Sequence, residues 1–455
     1  MSAELEAGIS TPSGLLEDCF IRIERANAAL GAFVYLDREG AAEAARAADA
    51  RQAAGARLGP LDGIPVAVKD NLWVADMPAH WGSRMWADFT PPVDDIPVER
   101  LRAAGAVIVG KTNTPEFALS GRTDSPLHGP ARNPWNTDLT PGGSSGGSVA
   151  AVAAGMVPLS LVTDAGGSTR LPASYTGLYG LRPSNGRIAR RYGFPPMALD
   201  FQAVGVVARS FEDLELLYRS VAGPDPRDPA SERLPSIPSP VGKTLRIGWF
   251  AGLQDELVDP EVAAAVRECA ALLAGGLCEV VHREAPYDIT LVRKVWGTVS
   301  AAGAGRAAEL HPERWRTEAS VPIAAAAERG LGLTAVDYVR AMDQLGEIRG
   351  RVADAWGDVD CFLCPSAASP AWPLHDDYPA TIGGKPGHAS AQNAFATWVN
   401  VIGHPGLNVP IKCHADGRPL GIQIVGRFGG DEVVLEVARR LHQRSPWPES
   451  AYPIW

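Results

Sequence analysis

Apolar residues recur at i, i+3 and i+4 over residues 14–30 and again over 41–55 (AAEAARAADARQAAG), among good helix formers. Both stretches predict amphipathic helices. IPVAV (Ile64 to Val68) is short, apolar and β-branched between Gly63 and Lys69, which predicts a buried strand. VERLRAAGAVIVG reads as a helix, a glycine stop at Gly105 and a second buried strand. MVPLSLV (Met156 to Val162) is another smooth apolar run, and SVAAVAAG before it predicts a helix of small residues suited to close packing. Further on, TLRIGWF and GIQIVG predict strands, 259–275 and 334–354 helices, and DEVVLEVARRLHQ a closing amphipathic helix. Strands alternating with helices predict an α/β architecture with a distinct C-terminal portion. Residues 221–243, rich in Pro, Ser and charge, read as a linker.

Composition narrows the class. With 46% apolar and 21% charged residues, the 455-residue chain has the make-up of a soluble globular protein with a sizeable core. Acidic residues outnumber basic ones by 52 to 42, for a net charge of −10, which argues against nucleic acid as a partner. The densest basic cluster, RIARR (Arg187 to Arg191), reads as a solvated turn. Six cysteines lack the spacing of a disulfide scaffold, and CFLC (Cys361 to Cys364) reads as a buried strand end, not a zinc or dithiol site. MSAELEAGIS has no basic segment followed by an apolar stretch, and no apolar run reaches the ~18 residues of a membrane span. The expectation is a cytoplasmic protein with no membrane partner.

Two motifs point to chemistry that their context rejects. GAVIVGKT (Gly105 to Thr112) matches GxxxxGK[ST], but Ala, Val, Ile and Val in the middle make a strand, not a phosphate cradle. GGSSG (Gly142 to Gly146) matches the GxSxG nucleophile elbow, which must follow a buried strand; here the polar loop NPWNTDLTP precedes it. His375, His388 and His404 are available as bases for such an elbow, yet nothing marks one out.

Taken together with a lysine, the serine–glycine stretches say more. GIPVAVKDN ends a strand at Lys69, PGGSSGGSVAAVAAG follows, and then TDAGGSTRLPA. With RLRAAGAVIVGKTNTPEFA, RNPWN, GLYGLRP, NVIGHPGLNVPI and GRPLGIQIVG in this order, the chain resembles the amidase signature family over most of its length. The resemblance implies one large twisted mixed β-sheet surrounded by helices. It implies a single domain over 1–455, with the motifs in 57–225, a linker-like loop at 226–243, and 244–455 completing the same fold. It also implies a Ser–Ser–Lys triad: Ser168 as nucleophile, Ser144 as relay after a cis peptide bond, and Lys69 as terminal base. Ala165, Gly166, Gly167 and Ser168 are then the backbone oxyanion hole, and Ser145, Asp164 and Arg170 brace the site.

The chemistry stands without the family. A serine hydroxyl is a poor nucleophile until a base takes its proton, and a neutral amine can do so. Lysine with a pKa of about 10.4 is neutral in only about one molecule in a few thousand at pH 7, and desolvation raises that share. IPVAV supplies an apolar setting for Lys69, which Asp70 opposes unless it points elsewhere. Gly166 and Gly167, without Cβ, let consecutive N–H groups turn toward a developing oxyanion.

Thr169, where Ile or Val is usual, and Arg182, where Lys is usual, depart from the family pattern away from the triad. The Trp- and Met-rich segment LWVADMPAHWGSRMWADFTPP, with GFPPMALDF, is expected to wall a pocket through Trp81, Met85, Trp86 and Met197, favouring bulky aryl or hydrophobic substrates. Packing of a core beneath a loop is the competing reading of those aromatics. The chain resembles bacterial amidases of the aryl acylamidase and urethanase kind, so the substrate is a small-molecule amide, carbamate or ester. Two rival classes remain: the amidase-type subunit of a tRNA-dependent amidotransferase, and a binding protein on a disabled scaffold. The second is disfavoured because Lys69, Ser144 and Ser168 are all present. No cofactor or metal is expected, and the chain is expected to be a monomer or homodimer.

Overall fold

The computed structural model describes residues 1–234, 240–448, 451–453 and 455. Six strands of the main sheet come from the first half: β1 (Phe33–Leu36), β2 (Pro65–Lys69), β3 (Val107–Thr112), β4 (Leu159–Asp164), β5 (Tyr179–Arg182) and β6 (Ala203–Ala208). Five more follow: β7 (Leu245–Trp249), β8 (Cys278–His282), β9 (Cys361–Pro365), β10 (Gly406–Cys413) and β11 (Pro419–Gly426). Among the described residues these form one eleven-stranded sheet in the order β1-β3-β2-β4-β6-β5-β10-β11-β9-β7-β8. The sheet is mixed: β2 runs parallel to both β3 and β4, β7 runs parallel to β8 and β9, and the remaining neighbours are antiparallel. Every residue of β2, β3 and β4 is buried, as strands covered on both faces require.

Helices form where the periodicity predicts them, with ends set by capping. Thr11 accepts a hydrogen bond from Gly14 N and Pro12 occupies the first turn, so the first long helix spans Pro12–Leu30. A capping box between Thr334 and Asp337 starts Ala335–Trp356. The expected linker is partly tied down. Arg100 donates to the carbonyls of Val221, Gly223 and Pro224, and Pro229–Glu232 forms a helical turn. The rest of that expectation includes residues 235–239, which lie outside the described residues. A helix not expected from the sequence, Ile289–Leu310, packs against Val321–Leu331 and Ala335–Trp356 over the C-terminal portion. Among the described residues no helix is long and apolar enough to cross a membrane.

The small-residue helix spans Gly146–Ala153 and its start lies directly on the backbone just past β3 and just before β1. A Cβ on Gly147 would stand 2.3 Å from Asn113 N and 2.5 Å from Ala32 O, so only glycine allows this approach. Gly147→Ala is therefore expected to cost about 1–3 kcal/mol in urea unfolding, by forcing helix and strand apart.

Candidate active site

Because β2 and β4 are adjacent and parallel, with Val66 opposite Leu159 and Val68 opposite Leu161, both end on the same edge of the sheet. Ligand sites in parallel sheets gather at that edge. It carries Lys69 from β2 and, from β4, Thr163 and Asp164, which lead into the loop 165–168. Ser144 and Ser145 arrive from the start of helix Gly146–Ala153, which packs on both strands. The Gly143–Ser144 peptide is cis. Lys69 Nζ donates to Ser144 Oγ at 2.8 Å, to Ser145 Oγ at 3.1 Å and to Thr163 Oγ1 at 3.2 Å.

Lys69 is fully buried, and its pKa is pushed down to about 7 by that burial, against the opposing charge of Asp164 and with Arg190 adding to the fall. Asp70 points away: its carboxylate accepts from the N–H groups of His80 and Gly82. The other motif lysine, Lys111, ends in β3 with Nζ donating to Leu72 O at 2.7 Å, which is a structural strut and not a phosphate ligand.

The loop after β4 is organised by one carboxylate. Asp164 Oδ1 accepts from Gly167 N at 2.7 Å and from Asn400 Nδ2 at 2.8 Å, and Oδ2 accepts from Thr169 N at 3.1 Å. Arg170 lies alongside, with Nε donating to Oδ2 at 3.0 Å and Nη2 to Oδ1 at 3.2 Å. Burial alone raises the Asp164 carboxyl, but Arg170, Arg182 and the Asn400 amide outweigh it and hold it well below the usual carboxylate range.

Ser144 and Ser168 both line a cavity of about 210 Å³, walled by Trp81, Phe117, Leu119, Leu171, Met197 and Trp296. For scale, ~150 Å³ accommodates benzene. Between Ser168 and Ser144 no hydrogen bond forms in this structure, while Lys69 and Ser144 are directly joined. One expected oxyanion donor is corrected. The Gly167 N–H is already spent on Asp164, and Gly167 does not line the cavity. With φ of +117° and a virtual Cβ 2.8 Å from Ala396 Cβ, Gly167 supplies backbone geometry instead. Ala165, Gly166 and Ser168 do line the cavity, and their N–H groups have no acceptor among the described residues.

Of the four expected wall residues, Trp81 and Met197 line the cavity, whereas Met85 and Trp86 do not. Those two sit on a short turn, Arg84–Trp86, that packs into the aromatic core instead. There the Trp86 ring meets His311 edge-on and leans on Phe194. Trp81, Phe117 and Ala118 adopt φ of 51°, 53° and 57°, so three cavity residues carry left-handed backbone that costs about 1–3 kcal/mol each for a side chain bearing Cβ. Sequence reasoning missed Trp296, on helix Ile289–Leu310. Its indole N–H donates to Ala165 O at 2.9 Å. Because a trans peptide sets C=O and N–H in opposite directions, holding the Ala165 carbonyl aims the Gly166 N–H the other way.

This fold has counterparts. Residues 14–435 match the sequence profile of the family described as Amidase. The chain belongs to the amidase signature family, a family of amide-bond hydrolases. It is 36% identical to a glutamyl-tRNA(Gln) amidotransferase subunit of Anaeromyxobacter sp. (strain K), over 99% of this chain and 97% of that one. It is 33% identical to an acylamidase of Rhodococcus erythropolis, over 99% and 95%. The solved structure of 6-aminohexanoate cyclic dimer hydrolase complexed with substrate superposes with a TM-score of 0.87 at 28% identity, covering 98% of this chain and 96% of that one.

Asp164 and Arg170 are both fully buried, so removing one charge strands the other. Asp164→Asn is expected to lower stability by about 3–5 kcal/mol, measured by chemical denaturation.

Proposed function

We propose that this chain hydrolyses neutral amides through an acyl-enzyme on Ser168, with Ser144 as proton relay and Lys69 as terminal base. The observation that carries the reading is the 2.8 Å hydrogen bond between Ser144 and a lysine held out of water. Neutral Lys69 accepts the Ser144 proton while Ser144 accepts that of Ser168. Contacts of this kind tighten when substrate binds, which is when the Ser168–Ser144 bond is needed. Ser168 Oγ bonds to the carbonyl carbon, the π pair moves to oxygen, and the N–H groups of Ala165, Gly166 and Ser168 receive it. Each such donor is worth roughly 3–4 kcal/mol. Collapse breaks the C–N bond, the leaving nitrogen takes the relayed proton, and water then cleaves the acyl ester through the same relay. A carbamate would give amine, alcohol and carbon dioxide.

Kinship with an amidotransferase supports a second reading, in which the chain releases ammonia for a partner. The cavity lining favours the first. Its lining residues are Asn, Gln, Ser, Thr, Gly and apolar or aromatic types, with no charged side chain. Free glutamine, carrying ammonium and carboxylate, finds no counter-charge there, whereas an aryl or alkyl amide fits the walls.

The purified chain alone is expected to cleave a p-nitroanilide and, by the same triad, an aryl carbamate, both faster than acetamide. Ser168→Ala is expected to lose at least about a thousandfold in rate, because nucleophile and base act as one unit. Unchanged turnover in the mutant would make Ser168 a turn residue, and turnover of glutamine alone would favour the amidotransferase reading.

The pH dependence follows from Lys69. Its neutral form is the working one, and that form predominates above about 7. The expected kcat/KM rises about tenfold per pH unit below that value and levels above it. A profile flat from pH 5 to 9 would exclude Lys69 as the base.

A further inference from the structure

Leu119 and Trp296 line not only the cavity beside Ser168 but also a second one, of about 600 Å³, which none of Lys69, Ser144 and Ser168 lines. This second cavity is a groove between two helices. Lys294, Gly297 and Ala301 stand at i, i+3 and i+7 on Ile289–Leu310, and Pro322, Ala326 and Arg329 at i, i+4 and i+7 on Val321–Leu331. The helices touch where a Cβ on Gly330 would run into Ala301 O, so the groove has fixed sides. A Cβ on Gly297 would meet nothing within 4 Å, which marks open space over that residue.

The charge of the groove is one-sided. Arg293, Lys294 and Arg329 line it and, among the described residues, no Asp or Glu does, in a chain whose net charge is −10. Arg293 is matched by a two-pronged pair with Glu256, which includes Nη2 donating to Oε2 at 2.8 Å. Lys294 and Arg329 are exposed, and neither side chain has an ion pair or hydrogen bond among the described residues. Leu119, Trp296 and Ile323 add apolar surface to the same groove.

We infer that this groove is a subsite for an anionic group at the far end of the substrate, carried on an apolar chain that crosses Leu119 and Trp296 from the amide cut at Ser168. Two unmatched cations beside apolar surface complement such a chain, and a neutral end gains nothing from them. Holding the anion in the groove also keeps it out of the uncharged cavity beside Ser144, where it would favour the ammonium form of Lys69. The inference rests on the hydrolase reading and names its substrate class.

Chain length and end charge are varied together, with a carboxylate as the anionic probe. Mono-p-nitroanilides of succinic, adipic and suberic acids are each compared with a partner carrying isopropyl in place of the carboxylate. N-benzoyl β-alanine, 5-aminopentanoic acid and 7-aminoheptanoic acid, with the same exchange, cover the leaving side. In the shortest pairs the isopropyl partner is expected to be the better substrate, because the anion falls in the uncharged cavity. In the longest pair of at least one series, wild type is expected to prefer the carboxylate by about fivefold or more in kcat/KM, the factor that two exposed ion pairs supply. High salt is expected to shrink that preference. Lys294→Gln combined with Arg329→Gln is expected to bring the ratio within about twofold, and so is Gly297→Phe, which fills the groove; thermal unfolding of both variants is recorded alongside. No preference for the long carboxylate in either series, an uncleaved pair counting as none, overturns the inference while Ser168-dependent hydrolysis stands, as does a preference that either variant keeps. Turnover of these substrates that survives Ser168→Ala removes the hydrolase reading, and this inference with it.

Discussion

The buried pair of Asp164 and Arg170 is the constraint on which the site depends. All five guanidinium N–H donors of Arg170 are used: two on Asp164, and the others on Ala396 O, Gln423 Oε1 and Asn400 Oδ1. One side chain therefore ties the end of β4 to β11 and to the segment that runs into helix Thr397–Ile402. The carboxylate it neutralises sets the turn that presents Ser168. A buried ion pair is weak evidence for stability, since desolvation offsets much of the attraction. Here its contribution is geometric, because the carboxylate takes the N–H groups of Gly167 and Thr169, while those of the cavity-lining Ala165, Gly166 and Ser168 have no acceptor among the described residues.

The same pair bears on Lys69, the base of the proposed mechanism. Asp164 is the main charge that favours protonated Lys69. Left bare, that carboxylate would work against a neutral amine; matched by Arg170, with Arg182 also near, its field is reduced. Burial then decides the outcome. Moving the Lys69 pKa from an ordinary 10.5 to about 7 corresponds to on the order of 5 kcal/mol in favour of the neutral form. Strand β2, buried along its whole length, supplies that burial.

What was legible in the sequence was local. The strand ending at Lys69, the small-residue helix after Ser144–Ser145 and the glycine turn before Ser168 are each written in a few adjacent residues. Parallel pairing of β2 with β4 then brings the three together. The walls were less legible, because they depend on which way distant elements face. Trp296 lies in a helix that the pattern did not announce, and nothing in its neighbourhood marks it as touching Ala165. In the Trp- and Met-rich segment, Trp81 reaches the cavity because its own φ is left-handed and Gly82 passes 2.3 Å (virtual Cβ) from Thr114 O. Four residues on, the chain has turned, and Met85 and Trp86 face the aromatic core instead. The fate of Gly167 did carry a signal: an aspartate three residues earlier is spaced to accept its N–H.

If Lys69 is the base, as proposed, it must be neutral, and that restricts what can be bound beside it. A substrate carboxylate held near Lys69 would favour the ammonium, raise its pKa and withdraw the base at neutral pH. A cavity whose lining residues carry no charged side chain avoids recruiting such a group, even though the chain as a whole carries a net charge of −10. Uncharged polar groups have no such effect on the base. An uncharged amide can hold a substrate in register through hydrogen bonds while adding no net charge to the field at Nζ. On the proposed mechanism the chemistry of the base and the polarity of the cavity are thus two consequences of one requirement, that the buried proton acceptor remain a neutral amine.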